Sequence, residues 1–124
     1  MGRCFTYSHL SWCYDADNDR LPYKVEKIDI SKNTQKEDWF LAINPNGRIP
    51  ALTDKFSDGK TINLFESGSI MQYLVERYDA DYKISYPKGS REWYDMNNWL
   101  FFQNAGVGPM QGQASKCFSI SIWQ

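Results

Sequence analysis

The sequence predicts an α/β unit followed by a helical segment, and two observations carry that prediction. Strand-like and helix-like stretches follow one another in the order strand, helix, strand, strand, helix, linker, helix. Within that order, residues 51–65 are typical of a hairpin, and residues 66–79, ESGSIMQYLVERYD, repeat apolar residues at helical spacing. Periodicity alone supports this architecture and indicates no particular function.

Composition restricts the class of protein. The chain has 124 residues, 42% hydrophobic and 16% aromatic, which suits one globular domain rather than a disordered segment. The net charge of −1, with acids and bases interspersed, argues against a nucleic-acid partner and a polybasic membrane anchor. No apolar run approaches the roughly 20 residues that cross a bilayer. Because the N-terminus also lacks a signal-peptide core, we expect a cytoplasmic protein with no membrane partner.

The cysteines indicate neither a disulfide framework nor a metal site. There are three, Cys4, Cys13 and Cys117, and no Cys-x-x-Cys motif is present. Cys4, His9, Cys13 and Asp15 are potential metal ligands, but no second pair of ligands follows them, as a structural zinc site usually requires. We therefore expect no metal cofactor.

The first half of the chain contains the predicted strands. Residues 21–30, LPYKVEKIDI, alternate apolar and charged side chains, with Ile28 and Ile30 in one phase, and predict a half-buried strand. Residues 51–53 and 61–65 predict a hairpin that bends near Ser57-Asp58-Gly59.

A short helix is predicted between these strands. Thr34 and Glu37 have the spacing of a capping box, so the helix should begin at Asn33 or Thr34. Pro45 should end it, because a residue before proline avoids helical geometry. Asn46-Gly47 then predicts a turn.

Two longer helices are predicted in the second half. The first has Ser67 as its N-cap and an apolar face made of Ile70, Met71, Leu74, Val75 and Tyr78. After a polar connection that contains Pro87, a second helix should begin near Ser90, with Trp93, Met96, Leu100 and Asn104 along one face. Gly106, Gly108 and Pro109 should interrupt it. The final stretch, CFSISIW, alternates like a strand but is too short to place.

Three features indicate a small-ligand site. Ile49-Pro50 follows the tight turn, Glu66-Ser67 lies where a strand meets a helix, and the start of that helix is suited to an anion. Together they suit a zwitterionic amino-acid head, with Glu66 on the ammonium and Ser67 on the carboxylate. Each also has a structural explanation: Ser67 as an N-cap, Glu66 as a solvated acid and Pro50 as the end of an edge strand.

Two stretches resemble a known family. NPNGRIPALTD followed by LFESGSIMQYLVERYD resembles the glutathione-binding region of fungal glutathione S-transferases, most closely the subgroup related to the yeast nitrogen-catabolite regulator. Residues 97–114 resemble the first helix of that family's all-α domain. The resemblance implies a divergent segment at 1–20, a partial thioredoxin-like glutathione-binding domain at 21–80, a linker at 81–89 and a truncated all-α domain at 90–124.

The resemblance also implies roles for individual residues. The bond before Pro50 should be cis and expose the backbone of Ile49, which pairs with the cysteinyl unit of glutathione. Glu66 and Ser67 match the pair that grips the γ-glutamyl end. The remaining assignments are Lys36 or Gln35 on the glycyl carboxylate, and Arg48 as a structural residue or one that steers the anionic ligand.

Both ends of the chain depart from the family pattern. The family's first strand ends at a residue that donates a hydrogen bond to the glutathione sulfur. Here CFTYS is a candidate strand, and Ser8 is the candidate donor ahead of Tyr7 and Ser11. The unusual residues at both ends suggest a truncated product or misread exon boundaries.

Three functions follow from these features. The first is a glutathione transferase of detoxification, acting on a small electrophile or reducing peroxides, with a homodimer as one assembly. The second is a non-catalytic glutathione-binding or regulatory module. The third is an inactive fragment with a partly uncovered aromatic surface, made of Trp93, Trp99, Leu100, Phe101 and Phe102.

Overall fold

A mixed sheet forms the first part of the structure. The computed structural model describes the backbone of residues 2–6 and 23–121 and the side chains of residues 23–114. Within them, four strands pair in the order β2-β1-β3-β4: β1 is Gly2–Thr6, β2 is Tyr23–Lys27, β3 is Ala51–Lys55 and β4 is Thr61–Phe65. β1 is parallel to β2 and antiparallel to β3, and β3 is antiparallel to β4. The candidate strand at CFTYS is confirmed for Cys4–Thr6, which belong to β1, while Tyr7 and Ser8 lie outside the described residues.

The hydrophobic core of this part lies beside the sheet. Ile28, Phe40 and Ala51 are at most 1% exposed and form one cluster, against which Ile43 and Ile49 pack. β2 is shorter than predicted, and its Tyr23 and Val25 are nearly half exposed. The buried position of the predicted strand is therefore Ile28, one residue beyond the end of β2.

The predicted short helix is wrong in its start and its end. Two 3₁₀ turns, Ile30–Lys32 and Thr34–Lys36, precede a four-residue helix α1, Asp38–Leu41. Asn33 lies between the turns in a left-handed conformation, with φ of 58°, which breaks any continuous helix there. Ile30 is consequently exposed rather than in phase with Ile28.

The hairpin is confirmed. β3 extends two residues further than predicted, to Lys55, and pairs along its whole length with β4. The bend is closed by a hydrogen bond from the Phe56 N–H to the Lys60 carbonyl at 2.8 Å, and Gly59 has a positive φ of 81°. Since this φ favours glycine, the predicted bend residues explain the turn.

The clearest predicted helix is also confirmed, as α2, Ser67–Tyr78. Ser67 is the first helical residue rather than the N-cap, and the position before it belongs to Glu66. The helix begins one residue earlier than the capping pattern suggested because the Glu66 carbonyl accepts the first helical hydrogen bond, from the Ile70 N–H at 2.9 Å. On the predicted apolar face, Ile70 is buried, whereas Met71 and Tyr78 are more than one third exposed.

A buried carboxylate organises the connection that follows α2. Asp79 is 4% exposed and accepts hydrogen bonds from the Lys83 N–H at 2.8 Å, the Ile84 N–H at 3.2 Å and the Ser85 hydroxyl at 2.6 Å. Burial opposes ionisation, but these donors outweigh it and hold the pKa of Asp79 below its ordinary value. The side chain that precedes the predicted linker thus binds three consecutive residues within it, Lys83, Ile84 and Ser85.

The final helical stretch begins and is interrupted as predicted. α3, Arg91–Phe102, has Ser90 as its N-cap, and the Ser90 hydroxyl accepts from the Trp93 N–H at 3.1 Å. A π-helical segment, Gln103–Val107, then leads into α4, Gly108–Ser121. Trp93 and Leu100 are half-buried, whereas four aromatic side chains of α3 are more than half exposed: Tyr94, Trp99, Phe101 and Phe102.

The strand-like alternation of CFSISIW does not correspond to a strand in the residues that the structure describes. Cys117–Ser121 continue α4. A few residues of alternating polarity form a strand only where another strand pairs with them. Extending an existing helix is more favourable here, because each added residue makes one more hydrogen bond.

The chain divides into two compact units, residues 1–70 and 71–124. The predicted domain boundaries stay a prediction. In the part of the chain that the structure describes, no helix has the length and apolar character needed to cross a membrane. Three or more potential metal ligands do not come together among these residues either, and the side chains of Cys4, His9, Cys13 and Asp15 lie outside them.

Replacing Asp79 with asparagine should destabilise the chain at neutral pH. The substitution removes the charge that three donors surround, and we expect a loss of about 1–3 kcal/mol in the free energy of unfolding. Because the folded pKa lies below the ordinary value, this contribution is complete above the unfolded pKa of about 3.9 and disappears as the pH falls through the folded pKa. The stabilities of wild type and Asp79→Asn should thus converge as the pH falls below about 4.

Asp81→Asn is the matched control, since Asp81 is an exposed acid two residues away. It should change stability by less than about 0.5 kcal/mol. A constant difference between wild type and Asp79→Asn down to the lowest pH would contradict the role given to the Asp79 charge.

Candidate functional site

The hairpin of β3 and β4 brings the two predicted ligand-binding segments to one place. Ala51 pairs with Phe65, the innermost pair of the ladder. Ile49-Pro50 comes directly before this pair and Glu66-Ser67 directly after it. Because opposite residues of an antiparallel pair lie about 4.5–5.5 Å apart at their Cα atoms, the two segments share the open end of the hairpin.

The first segment contains a cis peptide bond between Ile49 and Pro50, as the resemblance implied. Both residues are half-buried. Among the described residues, neither the N–H nor the C=O of Ile49 takes part in a hydrogen bond. Pro50 has no N–H, so the ladder cannot continue through it, and the Ile49 backbone remains a donor and an acceptor for another chain or a ligand.

The second segment combines a carboxylate with a helix N-terminus. Glu66 is exposed and has a left-handed backbone, with φ of 69°, while Ser67 is half-buried. The first helical hydrogen bond is donated by Ile70, so the amides at the start of α2 precede the helical ladder. Such a helix start carries partial positive charge, which suits a carboxylate beside the Glu66 side chain.

A tight turn leads into Ile49 and is stabilised from inside. Asn44 is 2% exposed; its Nδ2 donates to the Arg48 carbonyl at 2.6 Å, and its Oδ1 accepts from the Asn46 N–H at 3.0 Å. The Gly47 N–H donates to the Asn44 carbonyl at 2.9 Å. This pattern confirms the predicted Asn46-Gly47 turn and defines the path of the backbone to Ile49.

The structure places Gln35 and Lys36 against the same turn. The Lys36 Nζ donates to the Asn46 carbonyl at 3.0 Å. The Gln35 Oε1 is buried, with no hydrogen-bond partner among the described residues. Gly47 fits here for two reasons: its φ is +56°, and a Cβ would lie 2.8 Å from the Gln35 backbone oxygen and from the Lys36 side chain.

The remaining candidates are less closely placed. Arg48 belongs to the turn, and its side chain is exposed. Ser8, Tyr7 and Ser11, the candidates for thiol activation, lie outside the described residues. The described part of the site thus contains groups that suit a charged, peptide-like ligand, and the binding and thiol-activating roles stay predictions.

One protein-family model matches the part of the chain that contains this site. The family model of the glutathione S-transferase N-terminal domain matches residues 19–77, which include both segments of the hairpin end. This part of the chain belongs to the glutathione S-transferase family. The thioredoxin-like fold of that domain is confirmed with it.

Individual relatives and solved structures support the same family. The glutathione S-transferase-like protein tpcF of Aspergillus fumigatus is 50% identical over 95 residues, which cover 77% of this chain and 40% of the relative. A crystal structure of a glutathione transferase homologue from Lodderomyces elongisporus, with two GSH per subunit, has a TM-score of 0.71 at 50% identity and covers 76% of this chain and 44% of that one. The glutathione transferase URE2P6 from Phanerochaete chrysosporium, in complex with oxidised glutathione, has a TM-score of 0.70 at 44% identity, over 77% of this chain and 42% of that one.

These comparisons support the predicted family and its Ure2-related subgroup. They also show that the chain spans less than half the length of each of these relatives. The chain contains a glutathione S-transferase N-terminal domain, and helical segments follow it.

Two features that shape the backbone of the site were not predicted from the sequence: the role of Asn44 and the left-handed conformation of Glu66. Asn44 was not a candidate, although an Asn before a Pro-Asn-Gly turn is a recognisable signal for a side chain that bonds nearby backbone. The left-handed conformation of Glu66 had no signal, because glutamate rarely adopts it.

Replacing Gly47 with alanine should destabilise the chain more than the same change at Gly59. Both glycines have positive φ, so alanine is strained at each by about 1–2 kcal/mol. Only Gly47 also lacks space, because the added Cβ would meet the backbone oxygen of Gln35, whereas nothing lies within 4 Å of the Cβ at Gly59. We expect Gly47→Ala to cost at least about 1 kcal/mol more in urea unfolding. Equal losses would contradict the close approach of Gln35 to this turn.

Proposed function

We propose that this chain binds glutathione at the open end of its hairpin. The observation that carries the proposal is the pairing of Ala51 with Phe65, which places the Ile49 backbone beside Glu66 and Ser67. Ile49, which precedes β3, would pair through its N–H and C=O with the cysteinyl unit of the tripeptide, as one strand pairs with another through its backbone. Glu66 would accept the γ-glutamyl ammonium, and the hydroxyl and N–H of Ser67 would hold the adjacent carboxylate.

The backbone of Glu66 supports its role. A non-glycine residue at φ of 69° is strained, and such residues are concentrated at ligand sites. Glycine would adopt this conformation freely, but it has no carboxylate. A need for the carboxylate explains why a glutamate occupies the junction.

The glycyl end of the ligand would lie toward the turn. Lys36 and Gln35 lie against Asn46 and Gly47, and the Lys36 ammonium supplies a positive charge there. In this pose the ammonium holds the glycyl carboxylate, and Arg48 adds to the attraction of the anionic ligand.

Glutathione transfer is the reaction we propose for this site. The glutathione thiol loses its proton to water, its sulfur forms a bond to an electrophilic carbon, and the leaving group departs with the electron pair of the bond that breaks. Ser8 is the proposed activator: its hydroxyl would donate a hydrogen bond to the sulfur and thereby lower the thiol pKa. Peroxide reduction, a homodimer, a cytoplasmic location and a role in detoxification belong to the same proposal.

Glutathione should raise the melting temperature of the chain. A ligand that binds only the folded state stabilises it by RT ln(1 + [L]/Kd), which is about 2.7 kcal/mol at a hundred times Kd and corresponds to roughly 10 °C for a chain of this size. Glu66→Gln should abolish most of this rise, because it removes the charge and keeps the size of the side chain. Differential scanning calorimetry over a series of glutathione concentrations measures both effects.

Glu76→Gln is the control, since it makes the same change at an exposed acid of the same helix, α2. It should retain the full rise. A melting temperature that does not respond to glutathione, or an equal response in Glu66→Gln and wild type, would contradict binding at the hairpin end.

Ser8→Ala tests the proposed chemistry separately from binding. If Ser8 activates the thiol, the variant should keep the glutathione-dependent rise in melting temperature and lose most of its turnover with a chromogenic electrophile. Unchanged turnover would exclude Ser8 as activator. Binding without turnover in the wild-type chain would favour the non-catalytic binding module.

A further inference from the structure

We propose that Asn44 is the positioning residue of this site: its buried side-chain amide orients the peptide group that carries the Ile49 N–H. The inference rests on the proposed function, in which that N–H pairs with glutathione. Asn44 does not contact the ligand in this account. It acts through the backbone that does.

The side chain of Asn44 joins both sides of the turn. Its Nδ2 donates to the Arg48 carbonyl and its Oδ1 accepts from the Asn46 N–H. With 2% exposure, the amide is shielded from water, so these hydrogen bonds have no solvent competitor. The 2.6 Å contact to Arg48 is the shorter of the two.

Holding the Arg48 carbonyl also fixes the Ile49 N–H. The two groups belong to one peptide unit, which is planar, and in a trans unit they point in opposite directions. The cis bond lies one unit later, between Ile49 and Pro50. When Asn44 binds the carbonyl from inside the turn, the N–H is therefore directed away from the turn.

The backbone of Asn44 connects this arrangement to the core. Its N–H donates to the Phe40 carbonyl at 2.9 Å, and Phe40 is fully buried in the cluster with Ile28 and Ala51. The backbone of Asn44 is thereby hydrogen-bonded to a residue of the buried core of this unit. A ligand that uses the Ile49 N–H then meets a donor whose direction is fixed before binding, which lowers the entropy cost of binding.

Asn44→Asp tests the inference with the least change in shape. The variant keeps an oxygen that accepts from Asn46 and replaces the Nδ2 donor with an oxygen that repels the Arg48 carbonyl. Asn97→Asp is the matched control: Asn97 is also buried, its Nδ2 donates to the Trp93 carbonyl at 3.0 Å, and its Oδ1 accepts from Gln72. Both variants remove one buried amide donor, but only Asn44 belongs to the turn before Ile49.

The measurements are the Kd for glutathione by calorimetry at neutral pH and the Ile49 amide signal in the ¹⁵N–¹H spectrum without ligand. We expect Asn44→Asp to weaken binding by about tenfold or more and to displace the Ile49 signal. Asn97→Asp should bind within about twofold of wild type, with the Ile49 signal unchanged. Wild-type affinity in a folded Asn44→Asp chain would overturn the inference, and so would an equal loss in both variants.

Two further outcomes are decisive. If the wild-type chain does not bind glutathione, the proposed function fails, and the Ile49 signal decides the role of Asn44: displacement in Asn44→Asp supports it and an unchanged signal overturns it. If Asn44→Asp does not fold, exchange of the Asn44 side-chain amide protons in the wild-type chain decides instead. Slow exchange, slowed further by glutathione, supports the inference, whereas fast exchange or no response to glutathione overturns it.

Discussion

The antiparallel ladder between β3 and β4 is the interaction on which the site depends. Its innermost pair, Ala51 with Phe65, brings together two segments that are separated by the whole length of the hairpin. Ala51 is fully buried, so a shift of register by one residue would turn a core position toward solvent and separate Pro50 from Glu66. The burial of one strand thus fixes the geometry of the site.

Residues with positive φ lie at both ends of the hairpin, but only the open end combines them with close packing. At the closed end, Gly59 has a positive φ and empty space, which is sufficient for a turn. At the open end, Glu66 is strained and Gly47 lies close to Gln35 and Lys36. The strain at the open end is stabilised by the surrounding contacts, as is typical where a protein recognises a ligand.

Much of the fold was accessible from the sequence because its signals are local. Helix α2 follows a 3.6-residue repeat, α3 begins after a serine cap, and the hairpin bends at glycine. The short helix was mispredicted because the spacing of Thr34 and Glu37 resembles a capping box, although Asn33 interrupts the helix in three dimensions. The end of α4 could not be placed from the sequence, because period-two alternation over a few residues says little about whether a preceding helix continues.

The site itself was accessible mainly through family resemblance. From residue chemistry alone, Glu66 could equally be a solvated acid and Ser67 a helix cap. The cis bond before Pro50 was implied only by the family resemblance, and the structure contains it. The buried hydrogen bond from Asn44 to the Arg48 carbonyl could not be predicted from the sequence, because it depends on how the turn closes. Neither residue type nor spacing predicts that contact.

Hydrogen–deuterium exchange with and without glutathione tests the central claim most directly, because it reads every segment of the wild-type chain at once. Binding at the hairpin end predicts slower exchange in peptides covering residues 46–52 and 64–70, with the same dependence on glutathione concentration. Peptides covering the bend at 56–60, at the other end of the same hairpin, should not change. Protection confined to other segments, or no protection at saturating glutathione, would contradict the account.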